Sequence, residues 1–406
     1  MFETRIALES PLPCGYRPEI ERRIYFVSAQ ITDFRLIERD DLISEIVVVT
    51  DRPANGEELA EKVRFVLDHD LSGHRVVTPD VMWTSSGRRA ADERTYADLT
   101  ERSLVLETGE GQVAVGQPLI ALMDYFDDAV TSMALTMFDA SEFRYPTLIP
   151  TGVLDRCGYL ASFPQHLMLT TRLHNDVDAY QRFKAEYERR GTVDRALLDW
   201  CESVDYCLPP TMCFHTFNQY SGQRLASDGP LVVTARGKSF RFESRYAKTL
   251  ERLWDFTIRE IVFIGRKADV LAGRTNYMRA VQRFAEKLEL SGVCVVGNDP
   301  FFLSESPAGQ AWSQQLMELK YELRLHVATR RDIAVASFNY HEDFFGRRFG
   351  IALPDGARAH SSCVGVGLER LTYAFLCQYG TDPDGWPAEV AAAVAGSRRS
   401  LLGERA

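Results

Sequence analysis

Apolar positions recur along this chain at two different periods. Leu59, Val63, Val66 and Leu67 stand three or four apart and predict a helix over 57–68. Leu119, Met123, Phe126, Val130, Met133 and Met137 keep the same spacing and predict a longer amphipathic helix over 118–137. A third helix, polar and rich in Arg, Glu and Lys, is expected around 170–190. Elsewhere β-branched and aromatic runs dominate. Residues 22–27 and 46–50 read as strands, and residues 142–150, with prolines at 146 and 150, read as an extended, edge-like segment. After Cys207, short apolar runs return at 231–233, 240–242, 258–264, 293–296, 323–327 and 333–338. They are too frequent for a helical bundle and lack the regular crossover helices of a doubly wound parallel sheet. The pattern predicts an α+β fold, a mostly antiparallel sheet flanked by helices. A small N-terminal α/β domain is expected over 1–110, a main domain over 115–380, and a short alanine-rich helix and tail over 381–406. Glycine and charged residues from Ser86 to Glu93 predict an exposed turn.

The 406 residues are 45% hydrophobic, enough for a substantial core. Eight cysteines in this length make no dense disulfide framework, and the first residues do not form a secretory leader. No stretch approaches 18 apolar residues, so no membrane span is expected and the chain reads as cytoplasmic with reduced thiols. The net charge of −10 disfavours broad adhesion to nucleic acid, which depends on basic side chains displacing counterions.

The nucleotide motifs Gly-x-x-x-x-Gly-Lys-Ser/Thr and Gly-x-Gly-x-x-Gly after a strand are absent, as is the hydrolase motif Gly-x-Ser-x-Gly. Three polar features stand out instead. If 240–244 is a strand, Arg241 and Glu243 share one face. In the next apolar run Phe256, Ile258 and Glu260 share a face, which puts a carboxylate at the end of an apolar row and calls for a partner; a charged hairpin with an edge glutamate fits equally well. Third, Gly365-Val366-Gly367-Leu368-Glu369-Arg370 opens a helix with an arginine in its first turn. A cation there opposes the helix dipole unless an anion is bound.

Together these segments resemble the catalytic domain of class II aminoacyl-tRNA synthetases, with Arg-x-Glu as its second motif and Gly-x-Gly-x-Glu-Arg as its third. The closer resemblance is to amino acid:[carrier protein] ligases, tRNA-independent relatives of the atypical zinc-containing seryl-tRNA synthetases. It covers roughly residues 115 to 380 and includes 209–213, 337–346 and the stretch Gly158-Tyr159-Leu160-Ala161-Ser162-Phe163-Pro164. By this resemblance Arg241 grips the ATP α-phosphate and the carboxylate being activated. Glu243 lies near the adenine amino group and Phe256 stacks on the adenine. Arg252 contacts the outer phosphates, and Arg370 holds the γ-phosphate. The resemblance also implies Cys213, Glu260 and Cys363 as ligands of a Zn2+ whose fourth position takes the substrate's α-amine. The other six cysteines read as ordinary small apolar residues.

Mg2+ is expected with ATP, but its protein ligand is unassigned. The position that aligns with the family's magnesium-binding acid is Ile333, with Asp332, Glu342 and Asp343 nearby. Asn339 and His341 are candidate substrate-pocket residues. The resemblance implies activation of glycine, alanine or serine as an adenylate and transfer to the phosphopantetheine thiol of a carrier protein, with Arg182, Arg189 and Arg190 as docking candidates. The region 116–150 resembles the motif that forms the class II dimer interface, so a homodimer is expected. Charging of tRNA is the runner-up, and a non-catalytic binding or regulatory paralogue is the third reading.

Overall fold

Alternating apolar residues in the first fifty positions build a three-stranded antiparallel sheet from β1 (Phe2–Pro13), β2 (Ile31–Arg39) and β3 (Leu42–Thr50). β3 is central, and its near-continuous run Ile46-Val47-Val48-Val49 is buried, as a strand paired on both edges requires. The computed structural model describes residues 1–71, 80–246, 249–297, 319–329 and 331–402. Two helices, Arg17–Val27 and Gly56–Leu71, pack with this sheet around Ile6, Ile20, Ile24, Ile46, Leu59 and Val63. Residues 22–27, expected as a strand, are instead the last turns of the first helix. Pro18 occupies its first turn, where a missing N–H costs nothing. Ile20, Ile24 and Val27 bury one helical face that the β-branched composition concealed.

The main sheet has eight strands in the order β4-β13-β14-β15-β16-β12-β11-β7. They are β4 (Val81–Thr84), β7 (Ser141–Phe143), β11 (Leu231–Phe240), β12 (Asp255–Gly265), β13 (Gly292–Val296), β14 (Lys320–Ala328), β15 (Arg331–Tyr340) and β16 (His360–Gly367). Every pairing is antiparallel except the short edge strand β7, which runs parallel to β11. The sheet therefore takes one strand, β4, from before residue 110. Among the described residues five further short strands lie outside it: β5 (Val105–Gly109) pairs with β6 (Gln112–Val115), and β10 (Tyr206–Cys207) lies between β8 (Ile149–Pro150) and β9 (Leu169–Thr170).

One face of the sheet, with Ile261, Phe263, Phe338, Val364 and Val366, packs on the helices Leu119–Phe138, Lys267–Lys287 and Leu368–Tyr379. The helix Ala388–Leu402 adds Val390 and Val394 to this core. Of the predicted stripe in the helix Leu119–Phe138, Leu119, Met123, Phe126 and Val130 are buried, Met133 is half-buried and Met137 is exposed. On the opposite face Val262, Ile264 and Cys363 pack on the helices Thr151–Arg156, Cys213–Gln219 and Phe344–Phe349.

A buried ion pair ties helix to sheet. Arg259 of β12, 4% exposed, donates two 2.7 Å hydrogen bonds to Asp127 and one of 2.8 Å to Glu142. Asp127→Ala should leave this guanidinium buried with Glu142 alone. A loss of about 3–5 kcal/mol is expected for such a removal, and urea denaturation of the variant against the wild type measures it.

Candidate active site

β12 carries the site because its pleat sorts side chains by face. Phe256, Ile258, Glu260 and Val262 alternate with Asp255, Thr257, Arg259 and Ile261. The register sets Glu260 opposite Gly365 of β16, and Gly365 opposite Ser337 of β15. Two residues along, Val262 faces Cys363, which faces Asn339. Glu260, Gly365, Ser337, Cys363 and Asn339 thus lie on one surface. A Cβ at position 365 would stand 2.9 Å from Ile258 Cδ1 and 3.6 Å from Glu260 Oε1, so glycine keeps the space beside the carboxylate open.

Cys213 begins the helix Cys213–Gln219, which lies against this surface, and is 0% exposed. Burial first, then the Cys363 thiol and the Glu260 carboxyl, push the Cys213 thiol well up. Burial likewise raises Glu260, opposed by hydrogen bonding from Thr211. The Thr211 hydroxyl donates a short bond to Glu260 Oε1 and lies 3.7 Å from Cys213 Sγ. Among the described residues, neither Glu260 Oε2 nor Asn339 Oδ1, both buried, has a hydrogen-bond partner. The three donors named from sequence are therefore brought together, with an orphaned carboxylate oxygen among them. Among the described residues no group of three or more His, Cys, Asp and Glu side chains is already spaced as a metal cage. Two soft thiolates and one carboxylate suit zinc, and the unpaired oxygen gives a reason for a cation there, so the residues fit the ion.

Asn339 and His341, read from sequence as pocket residues, both reach the Cys363 sulfur. Asn339 Nδ2 donates to it at 3.6 Å, and His341 Nε2 lies 3.4 Å away. His341 Nδ1 lies 3.1 Å from Ser361 Oγ. Burial, and then the charge of Arg274, pull the His341 pKa down to about 3, so the ring is neutral.

The segment after β11 departs from the expected strand geometry. β11 ends at Phe240, and residues 241–243 belong to no strand. Arg241 N–H donates to Trp254 O, Phe242 N–H to His166 O, and Ser244 turns away at φ 49°, in the left-handed region. Arg241 and Glu243 nonetheless reach one place. The Arg241 guanidinium lies 5.4 Å from the Phe256 ring centroid and its Nε donates to Pro210 O. Glu243 accepts a 2.8 Å bond from Arg252. Burial alone would raise Glu243, but Arg252, His166 and Arg241 outweigh it and hold the carboxyl below its usual range. Arg370, third residue of the helix Leu368–Tyr379, donates to the carbonyls of Glu251 and Ala334. Burial, then the neighbouring Arg252, lower its pKa to about 10, with Glu243 opposing and Arg241 adding to the effect. Arg241 Nε bonds to Pro210 O, and the hydroxyl of the next residue, Thr211, bonds to Glu260, so the two halves of the site adjoin. Three half-buried arginines, Arg241, Arg252 and Arg370, converge around Glu243, an arrangement that suits a polyanion.

The acids near the position that aligns with the family's magnesium-binding residue are each accounted for in part. Ile333 is buried, Asp332 is bonded to Arg324, and Asp343 lies 3.9 Å from Arg358. The field of Glu322, on β14, reaches Arg370. Sequence reading passed over it, although Lys320, Glu322 and Arg324 alternate along one strand face and pair with one another. The remaining six cysteines are free thiols.

No protein-family profile matches the chain. Among solved structures it is similar to the M. kandleri seryl-tRNA synthetase in complex with A. aeolicus tRNASec, with TM-score 0.72 and 21% identity over 97% of this chain and 77% of that one. It is also similar to the cytoplasmic serine-tRNA ligase of Naegleria fowleri in complex with AMP, with TM-score 0.59, 13% identity, and 84% and 73% coverage. The fold is thus that of the class II synthetases. In sequence, the chain is 34% identical over 271 residues to amino acid–[acyl-carrier-protein] ligase 2 of Bradyrhizobium diazoefficiens, covering 64% of this chain and 74% of that protein. It is 32% identical to ligase 1 of the same organism, with 61% and 74% covered. A type-2 serine–tRNA ligase of Methanococcus aeolicus is 28% identical over 69% of this chain, a match that spans only 55% of that longer protein. The chain belongs to the amino acid–[acyl-carrier-protein] ligase family.

The arginine cluster generates a direct test. ATP or inorganic pyrophosphate should raise the thermal midpoint of the protein, because a ligand bound only by the folded state stabilises it. Arg370→Ala should lose most of that shift in the same differential scanning measurement.

Proposed function

We propose that this ligase activates a small amino acid, ranked as glycine, alanine or serine, as its adenylate and transfers it to the phosphopantetheine thiol of a carrier protein. The observation that carries the reading is the adjacency of the arginine cluster at Arg241, Arg252 and Arg370 to the Cys213–Glu260–Cys363 set. One half suits the triphosphate and the other an amine. Arg241 stands between them, placed to neutralise both the α-phosphate and the carboxylate whose oxygen attacks it. That oxygen forms the new bond to phosphorus as the bond to pyrophosphate breaks, and Arg370 meets the charge that leaves. Phe256 offers a face for the adenine and Glu243 an acceptor for its amino group. No protein nucleophile is required, since positioning and charge compensation suffice. In the second step the thiol sulfur attacks the carbonyl, AMP departs and the thiol proton is released.

Cys213, Glu260 and Cys363 would hold zinc. Bound there, zinc supplies a Lewis-acid position for a neutral α-amine, which disfavours carboxylates that lack one. A homodimer fits the exposed Ile120, Leu135 and Met137 on the helix Leu119–Phe138, beside the open sheet edge at β7. For carrier docking, the exposed arginines of the helix Val177–Arg190 are partly spent on one another's neighbours: Arg189 and Arg190 pair with Glu186, and Arg190 with Asp194.

Seryl-tRNA charging is the second reading, favoured by the structural match that extends over 97% of this chain. Against it, the first 71 residues hold fifteen Asp and Glu and nine Lys and Arg, a poor surface for a polyanion. The readings separate experimentally. ATP–pyrophosphate exchange should respond to a small amino acid, and the purified enzyme should load a holo carrier protein and ignore its apo form. Acylation of tRNA with no carrier loading would establish the second reading; absence of any adenylate would establish a binding protein. Metal analysis should find about one zinc per chain, reduced by Cys213→Ser or Cys363→Ser, and Arg370→Ala should lower exchange about 10²-fold or more.

A further inference from the structure

The segment that carries Arg241 and Glu243 has left the sheet, so strand pairing does not fix it. What fixes it is a stack of rings. Phe242, between the two, packs at 4.7 Å centroid distance on Trp254, whose indole N–H donates to Ser244 O. On its other side is His166, which exchanges two contacts with the Phe242 main chain: Phe242 N–H donates to His166 O, and His166 Nδ1 lies 2.9 Å from Phe242 O. The stack is closed from outside the main domain. Phe26, at the end of the helix Arg17–Val27, sets its ring edge-on to His166 at 5.4 Å and to Phe242 at 6.3 Å. The same helix packs on the turn Ser244–Tyr246. Arg241 and Glu243 are the immediate neighbours of Phe242, so a displacement of that ring moves both.

We infer that Phe26 is a positioning residue for nucleotide binding: the N-terminal unit braces the ATP-gripping segment through the Phe26–His166–Phe242 stack. This rests on the ATP reading above. The unit acts by packing rather than by charge; its acidic balance makes it unsuited to touch phosphates itself. Its effect falls mainly on the nucleotide half, because Cys213, Glu260 and Cys363 are fixed by the sheet and by the helix Cys213–Gln219; only Arg241 carries it to the amino acid's carboxylate.

The test compares the full-length wild type with Phe26→Ala and Phe26→Tyr. Binding of ATP is measured by calorimetry, and the KM values for ATP and for the amino acid by pyrophosphate exchange. Loss of two edge-to-face contacts should weaken ATP binding by about two- to tenfold. The KM for ATP should rise in step, and by more than the KM for the amino acid, which feels the change through Arg241 alone. Phe26→Tyr should restore ATP binding. An unchanged ATP dissociation constant in Phe26→Ala overturns the inference, as does an equal rise in both KM values. If the wild type binds ATP yet exchanges pyrophosphate with no amino acid, the ligase reading fails while the calorimetric ratio still decides the brace. A wild type that binds no ATP overturns both.

Discussion

Burying Glu260 in the middle of a wide sheet sets the terms for everything around it. A carboxylate there loses its hydration; one of its oxygens accepts from the Thr211 hydroxyl, and the other has no hydrogen-bond partner among the described residues. The surroundings are arranged for the other. Gly365 stands opposite and leaves space, Cys213 and Cys363 approach from a helix and a neighbouring strand, and Arg241 contributes its charge from the adjoining half. A purely structural residue at this position would be served better by a leucine, as its neighbours Ile258, Val262 and Ile264 show. The retained carboxylate is therefore intelligible as a donor to something that arrives from outside the chain.

The two halves of the site obey different mechanics. Glu260, Cys363 and Asn339 stand on paired strands, where register fixes their spacing to within the pleat. Arg241, Glu243 and Arg252 stand on irregular chain, held by a few main-chain bonds, an ion pair and aromatic packing. Rigid placement suits a group that must be approached in a fixed direction. Looser placement suits a flexible triphosphate, whose charge does the final alignment.

Much of this was readable from residues alone. The strand period exposed β12 and the odd carboxylate at its end, and the glycine pair before Arg370 marked the helix whose first turn holds that arginine. Composition misled where it overlapped two structures: Arg22 to Val27 are rich in strand formers, yet Ile20, Ile24 and Val27 make a helical face that only tertiary burial rewards. The strand expected at 240–244 failed because Phe240 N–H is taken by Pro209 O and Ser244 adopts a left-handed turn, neither of which leaves a mark in hydropathy. Glu322 and the Arg259–Asp127–Glu142 cluster were missed for a different reason. Their importance lies in partners 117 or more residues away in the case of Arg259, and in a field across strands in the case of Glu322, and a linear reading cannot pair them.

Both carbonyls of the step Pro209-Pro210 are occupied. Pro209 accepts the Phe240 N–H and Pro210 accepts Arg241 Nε, and three residues later the chain enters the helix that begins at Cys213. The peptide that presents the first sulfur is thus fastened to the peptide that presents the first guanidinium. Occupancy of one half and occupancy of the other are then coupled variables. Thermodynamic reciprocity requires that whatever factor either occupant imposes on its neighbour's affinity is returned in equal measure.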